Sequence, residues 1–287
     1  MPSTVGELLA LLDLETLDPN LYRGQQPDTT MQRVFGGQVA AQALVAAART
    51  TPEEVVVHSL HSYFLRPGDT AVPIIYDVDR VRDGRSFATR RVLARQHGRP
   101  IYALTASFQV EESGFDHQDA MPDDVPAPEE SLEVGAALRG RGRAAEDWLK
   151  EWSVLELRRA GDSRQGGALA SSEHPARVRA WLRVRDRMPD DALVHQAALT
   201  YVSDLTLLGS ALVPHGLLIG DPRVQAASLD HTVWLHRPFR ADEWLLYDQV
   251  SPSASGGRGL ALGRLFTQDR RLVATVAQEW RVRPRTA

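Results

Sequence analysis

The chain has 287 residues, of which 43% are hydrophobic and 24% charged, with a formal net charge of -4 and no cysteine. The acidic balance excludes a dedicated nucleic-acid binder, which carries a strongly basic face. Without thiols there are no disulfides, no thiolate metal ligands and no cysteine nucleophile.

Residues 1–13 lack the basic, then apolar, then small-residue pattern of an export signal, and no apolar stretch approaches membrane-spanning length. A soluble, cytoplasmic protein is expected. The first regular element follows Gly36-Gly37, where residues 38–48 form a helix of unusually small side chains that lets other backbone approach closely, ending at Thr50-Thr51-Pro52. Residues 55–65, 72–82, 86–96 and 101–110 are rich in β-branched and aromatic residues and are separated by turns at Asp83-Gly84 and His97-Gly98, so they read as an antiparallel meander.

From about residue 114 to 191 the patterning breaks down, apart from a helical stretch over 144–157 and a strand near 176–184. We read 1–112 as an N-terminal unit, 113–190 as a linker and crossover segment, and 191–287 as a C-terminal unit. The second unit opens with a helix over 201–212, N-capped by Ser203 or Asp204, and continues in strands over 226–235, 243–250, 258–267 and 272–282.

The two units repeat each other. Ser59-Leu60-His61-Ser62-Tyr63-Phe64-Leu65-Arg66-Pro67 returns as Ser228-Leu229-Asp230-His231-Thr232-Val233-Trp234-Leu235-His236-Arg237-Pro238. Setting Phe35 against Tyr201 and Val110 against Val282 puts Gln38 opposite Asp204 and Ala106 opposite Gln278. The polar residues special to the second copy are therefore where chemistry is sought.

Phe35-Gly36-Gly37-Gln38, His58 through Gly68, Arg82-Asp83-Gly84-Arg85-Ser86-Phe87, Ser203-Asp204-Leu205, Leu229-Asp230-His231 and Thr275-Val276-Ala277-Gln278-Glu279, in that order, resemble the acyl-CoA thioesterase II family. The resemblance implies an α+β double hotdog fold: two tandem units, each a central helix wrapped by a curved antiparallel β-sheet. It implies hydrolysis of acyl-CoA to a free acid and CoA by an activated water. The family's Asp, Thr or Ser, and Gln fall on Asp204, Ser228 and Gln278. No cofactor is implied, since CoA belongs to the substrate, and the partners expected are acyl-CoA and further copies of the chain in a homo-dimer or homo-tetramer.

Thioester hydrolysis needs a positioned water, a proton acceptor and donors for an oxyanion. Asp204 suits the acceptor, Ser228 and Gln278 suit positioning, and Gly36 and Gly37 at a helix start suit anion stabilisation and substrate binding. His58 is a further candidate for substrate contact. His58 and His61 stand three apart in a strand and so face opposite sides, which excludes a metal pair and reads, like His231 and His236, as structural histidine. Gly161-Asp162-Ser163 is no nucleophile elbow, and the Gly256-Gly257 stretch precedes a strand and not the helix a dinucleotide loop requires. Two rival functions are a non-catalytic acyl-CoA binder and a hotdog hydratase; members of the latter carry Asp and His five residues apart, where this chain has Asp204 and Gly209.

Overall fold

The computed structural model describes residues 1–285. In chain order the elements are α1 (Val5–Leu12), β1 (Glu15–Asp18), β2 (Leu21–Gly24), α2 (Gly36–Ala48), β3 (Val55–Phe64), β4 (Ile74–Asp83), β5 (Phe87–Gln96), β6 (Arg99–Val110), β7 (Leu132–Glu133), α3 (Val134–Leu138), α4 (Arg143–Glu151), β8 (Leu155–Asp162), β9 (Arg177–Val184), α5 (Ala192–Thr206), α6 (Leu208–Leu212), β10 (Val224–Ser228), β11 (Asp230–Leu235), β12 (Leu245–Ser255), β13 (Arg258–Thr267) and β14 (Leu272–Pro284). Between β5 and β6, His97 and Gly98 take φ of 50° and 71°, the left-handed pair that a two-residue hairpin turn demands.

All strands join one 14-stranded sheet in the order β1-β2-β4-β5-β6-β3-β11-β14-β13-β12-β9-β8-β7, with β10 also on β14. Outward from the β3–β11 seam, β6-β5-β4-β2-β1 is matched by β14-β13-β12-β9-β8, with β7 as an extra edge strand, so a pseudo-two-fold axis passes between β3 and β11. Across the seam His61 faces Thr232 and Leu60 faces Val233. The helices α2 and α5 pack on each other inside the curved sheet. Residues 39–47 of α2 are all buried, and their small side chains are what lets α5 and the surrounding strands close on it.

The middle segment is more ordered than its composition suggests. The helix there stops at Glu151, and Leu155–Asp162 is a strand, β8, which with β9 extends the second half of the sheet as β1 and β2 extend the first. Ahead of it, residues 116–127 cross the outer face of the second half. There Arg264 and Arg179 pair with Asp119 and Asp124 at 3.0 and 2.8 Å, Arg237 and Arg270 hold Asp116 and Asp123, and Trp181 Nε1 donates to the Pro126 carbonyl at 2.9 Å. Beneath lies a second apolar cluster of Met121, Trp181, Trp244, Leu246, Phe266 and Leu272. Strand alternation explains why it exists: Leu245 and Tyr247 enter the main core, so Leu246 points to the other face and needs its own cover.

Contrary to expectation, among the described residues one continuous helical stretch, Ala192–His215, is long and apolar enough to cross a membrane by length and composition, with a mean hydropathy of 1.3. In this fold 67% of its apolar window is buried, as the central helix of a sheet-wrapped core requires.

Candidate active site

The site forms where α2 and α5 meet. Phe35, the residue before α2, packs edge to face on Tyr201 of α5 with centroids 5.2 Å apart, so the two positions set opposite each other in the repeat touch across the pseudo-axis. A Cβ on Gly37 would lie 2.1 Å from the Tyr201 carbonyl oxygen, and one on Gly36 would lie 2.7 Å from both Asp204 Oδ2 and Phe64 Cε1. Glycine is therefore demanded by close approach. Gly37→Ala is expected to destabilise the protein by about 2 kcal/mol through forced separation of the helices, measured by chemical denaturation; a loss below about 0.5 kcal/mol is inconsistent with this packing.

Asp204 does not cap its own helix. That task belongs to Asp191, whose carboxylate accepts from the Leu193 and Val194 N–H groups at 2.9 and 3.4 Å, because α5 begins at Ala192 and not near residue 201. Asp204 lies in the last turn of α5, and its carboxylate sits against the start of α2, where the Gly37 N–H favours its ionised form. The carboxylate thus meets the positive end of the other helix. The first N–H groups of α2 have no acceptor within that helix, which makes this point an anion site.

Loss of hydration dominates the electrostatics of Asp204. Burial pushes its pKa up to about 7, against the opposing pull of hydrogen bonds from Gln278 and Gly37. A carboxylate poised there can take a proton near neutral pH and give it back.

Gln278, on β14, is fully buried, and its Nε2 donates to Asp204 Oδ1. Its Oε1 lies 2.9 Å from His231 Nδ1, and His231 Nε2 lies 2.9 Å from Ser203 Oγ. Burial pulls the His231 pKa down to about 4, so the ring is neutral at pH 7. Ser203 is buried as well, and its carbonyl accepts from Tyr247 Oη at 3.1 Å.

The sequence reads His231 as a structural histidine and Ser203 as an N-cap candidate, and places neither beside Asp204. Strand register holds the signal that finds the first. Gln278 and Ala106 occupy equivalent places; Ala277 faces Thr232 and Thr105 faces His61, so His231 is equivalent to Leu60. The repeat as first aligned, Ser59 with Ser228, hides this. By register Ser228 faces Trp280 as Val57 faces Phe108. Where the second half has Asp204, His231 and Gln278, the first has Gln38, Leu60 and Ala106, with Gln38 Nε2 donating to Gln26 Oε1 at 3.0 Å.

Ser228 shares the inner face with Gln278, since its partner Trp280 is two residues further along β14. Among the described residues it makes no hydrogen bond to Asp204 or Gln278. His58 lies elsewhere. Its Nε2 is 2.9 Å from Ser107 Oγ, its ring stands edge to face on Phe87, and it is roughly 20 Å along β3 from Phe64. The first half still contributes a wall, because Gly36, Gly37 and Phe64 of the same chain all press on the Asp204 region.

A family model described as acyl-CoA thioesterase matches residues 157–280, and one described as the acyl-CoA thioesterase N-terminal domain matches 25–109. The chain is 40% identical over 286 residues to acyl-CoA thioesterase 2 of Haemophilus influenzae, covering 99% of each. To acyl-coenzyme A thioesterase 8 of Homo sapiens it is 39% identical over 300 residues, covering 96% of this chain and 89% of the other. Among solved structures it is similar to an acyl-CoA thioesterase II of Mycobacterium marinum, with 45% identity, coverage of 97% and 99%, and a TM-score of 0.83. A hot dog fold protein of Alicyclobacillus acidocaldarius, 21% identical with coverage of 98% and 99% and a TM-score of 0.78, shares the fold.

Proposed function

Because the chain belongs to the acyl-CoA thioesterase family, has the double hotdog fold and hydrolyses acyl-CoA thioesters to a free acid and CoA, we propose that it does so at one site per chain, with Asp204, Gln278 and Ser228 as the catalytic set. The observation that carries this reading is the Asp204 carboxylate that accepts from Gln278 Nε2 and lies against Gly36 at the start of α2. Asp204 takes a proton from a water as the water oxygen bonds to the thioester carbon. The Ser228 hydroxyl and the second N–H of Gln278 hold that water. The N–H groups of the first turn of α2, which have no acceptor within the helix, supply donors for the oxyanion. The C–S bond then breaks, and the proton on Asp204 passes to the departing sulfur. No cofactor enters this scheme; CoA is the leaving group.

We further propose that the enzyme is cytoplasmic, in keeping with a chain that has no cysteine for disulfides, and that it assembles as a homo-dimer or homo-tetramer. Support for assembly comes from the outer face of the β3–β11 seam, where Tyr63 is 63% exposed beside a His61–Trp234 edge-to-face pair. The hydratase reading fails at Gly209, five residues beyond Asp204. A thiol-release assay across short, medium, long and branched acyl-CoAs tests the proposal. We expect turnover with at least one class and no acyl group trapped on Ser228. Binding without release of CoA would instead identify a non-catalytic acyl-CoA binder.

A further inference from the structure

His231 is a titratable side chain beside the site with no exposure at all, and both of its ring nitrogens are engaged. Nothing in the hydrolytic scheme uses it. Yet a buried, doubly bonded imidazole is equivalent to an apolar Leu60 in the half that lacks Asp204 and Gln278. A polar group this costly to bury has to be matched by what it does for its neighbours.

The directions of the hydrogen bonds follow from the chemistry of each group. A carboxylate only accepts, so Gln278 presents its NH₂ to Asp204 and its oxygen to His231. An amide oxygen only accepts, so His231 carries its proton on Nδ1. Its Nε2 is then an acceptor, facing the Ser203 hydroxyl at 2.9 Å, whose one proton is shared between that nitrogen and the Thr200 carbonyl at 3.1 Å. The order Ser203 to His231 to Gln278 to Asp204 is thereby polarised towards the carboxylate.

We propose that His231 is a positioning residue for hydrolysis: its Nδ1–H locks the Gln278 amide in the orientation that donates to Asp204 and leaves the second amide N–H for water or substrate. An amide is nearly symmetric in shape, and without a donor at its oxygen it can turn over and set that oxygen against the carboxylate, which repels the anion and removes the water's anchor. The role rests on the catalytic reading of Asp204 and Gln278 and adds to it the device that keeps Gln278 the right way round.

The test begins with the unaltered protein. Histidine ¹⁵N spectra should show one ring protonated on Nδ1, neutral from pH 8 down to 5; protonation on Nε2 overturns the proposal without any substitution being made. His231→Leu, the residue of the other half, should lower kcat roughly 10- to 100-fold, as loss of a hydrogen bond next to a charge does. KM should change little, and the acid limb of the kcat/KM profile should move to higher pH because the carboxylate loses a donor. His231→Asn, whose amide N–H can replace Nδ1–H, should recover most of kcat. In a Gln278→Ala background His231→Leu should cost nothing further, because there is no amide left to orient; an equal loss there overturns the proposal in favour of a merely structural role. Asp204→Asn measured alongside separates the two readings. Normal turnover in that variant removes the site reading itself, whereas an inactive Asp204→Asn with a fully active, folded His231→Leu removes only the role of His231.

Discussion

Replacing Asp204 by Asn is expected to lower acyl-CoA turnover roughly 10²- to 10⁴-fold, the range for a positioned acid or base. The substitution is close to isosteric, and the Asn oxygen can still accept from Gln278, so the loss isolates the carboxylate's ability to take a proton. Because its pKa is pushed up to about 7, kcat/KM in the unaltered enzyme should rise with pH through that value and level off above it. Near-normal turnover in the variant, or a profile flat from pH 5 to 8, would falsify the assignment.

The same shift carries a stability prediction of the opposite sign. The folded-state pKa lies above the ordinary 3.8, so the folded protein holds the proton more tightly than the unfolded chain does. Ionised Asp204 therefore opposes folding, a cost that is absent below about pH 4 and grows until the pH passes about 7. Asp204→Asn should melt higher than the parent at pH 8 and at nearly the same temperature at pH 4. Greater stability with lost activity is the trade expected of a charge kept for chemistry.

The largest loss of stability is expected at Asp248. It is buried on β12 between Arg179 Nε at 3.1 Å and Arg264 Nη2 at 2.7 Å, and Arg179 is itself only 1% exposed. Asp248→Ala should cost about 3–5 kcal/mol, because an enclosed guanidinium loses its principal counter-charge. Among the described residues, Asp124 and Asp119, on the segment crossing this face, then remain as the only carboxylates paired to Arg179 and Arg264. Urea denaturation gives the value, and Arg179→Met in the same chain should recover part of it. A loss under about 1 kcal/mol would mean that Asp124 and Asp119 alone satisfy the two arginines.

Strands β5 and β6 were readable because they run over 10 and 12 residues from a turn signal that the structure keeps, His97-Gly98, whereas β1 and β2, of 4 residues each, were too short to show a pattern. Asp204 and Gln278 were readable because one half has them and the other does not. The start of α5 was misplaced for a local reason: Ser203-Asp204 has the chemistry of an N-cap, but so does Asp191, and only burial of residues 197–203 against α2 shows that the helix already runs through them. His231 reads only as a structural histidine in the sequence, and its equivalence to Leu60 is hidden because the repeat contains an offset between Ser228 and His236. Hydrogen-bond register between β11 and β14 resolves it, and that is a long-range property.

The sequence by itself determined the duplicated architecture, the family and the asymmetry between the halves, all of which are carried by residue type and local order. The tertiary structure alone decided which helix end Asp204 serves, which way Gln278 points, and that the middle segment clasps the outer face of the second half through arginine–aspartate pairs. Those facts depend on groups brought together from positions as far apart as Gly37 and Gln278. Loss of hydration at their meeting point, and not any neighbour in the chain, sets the proton affinity of Asp204.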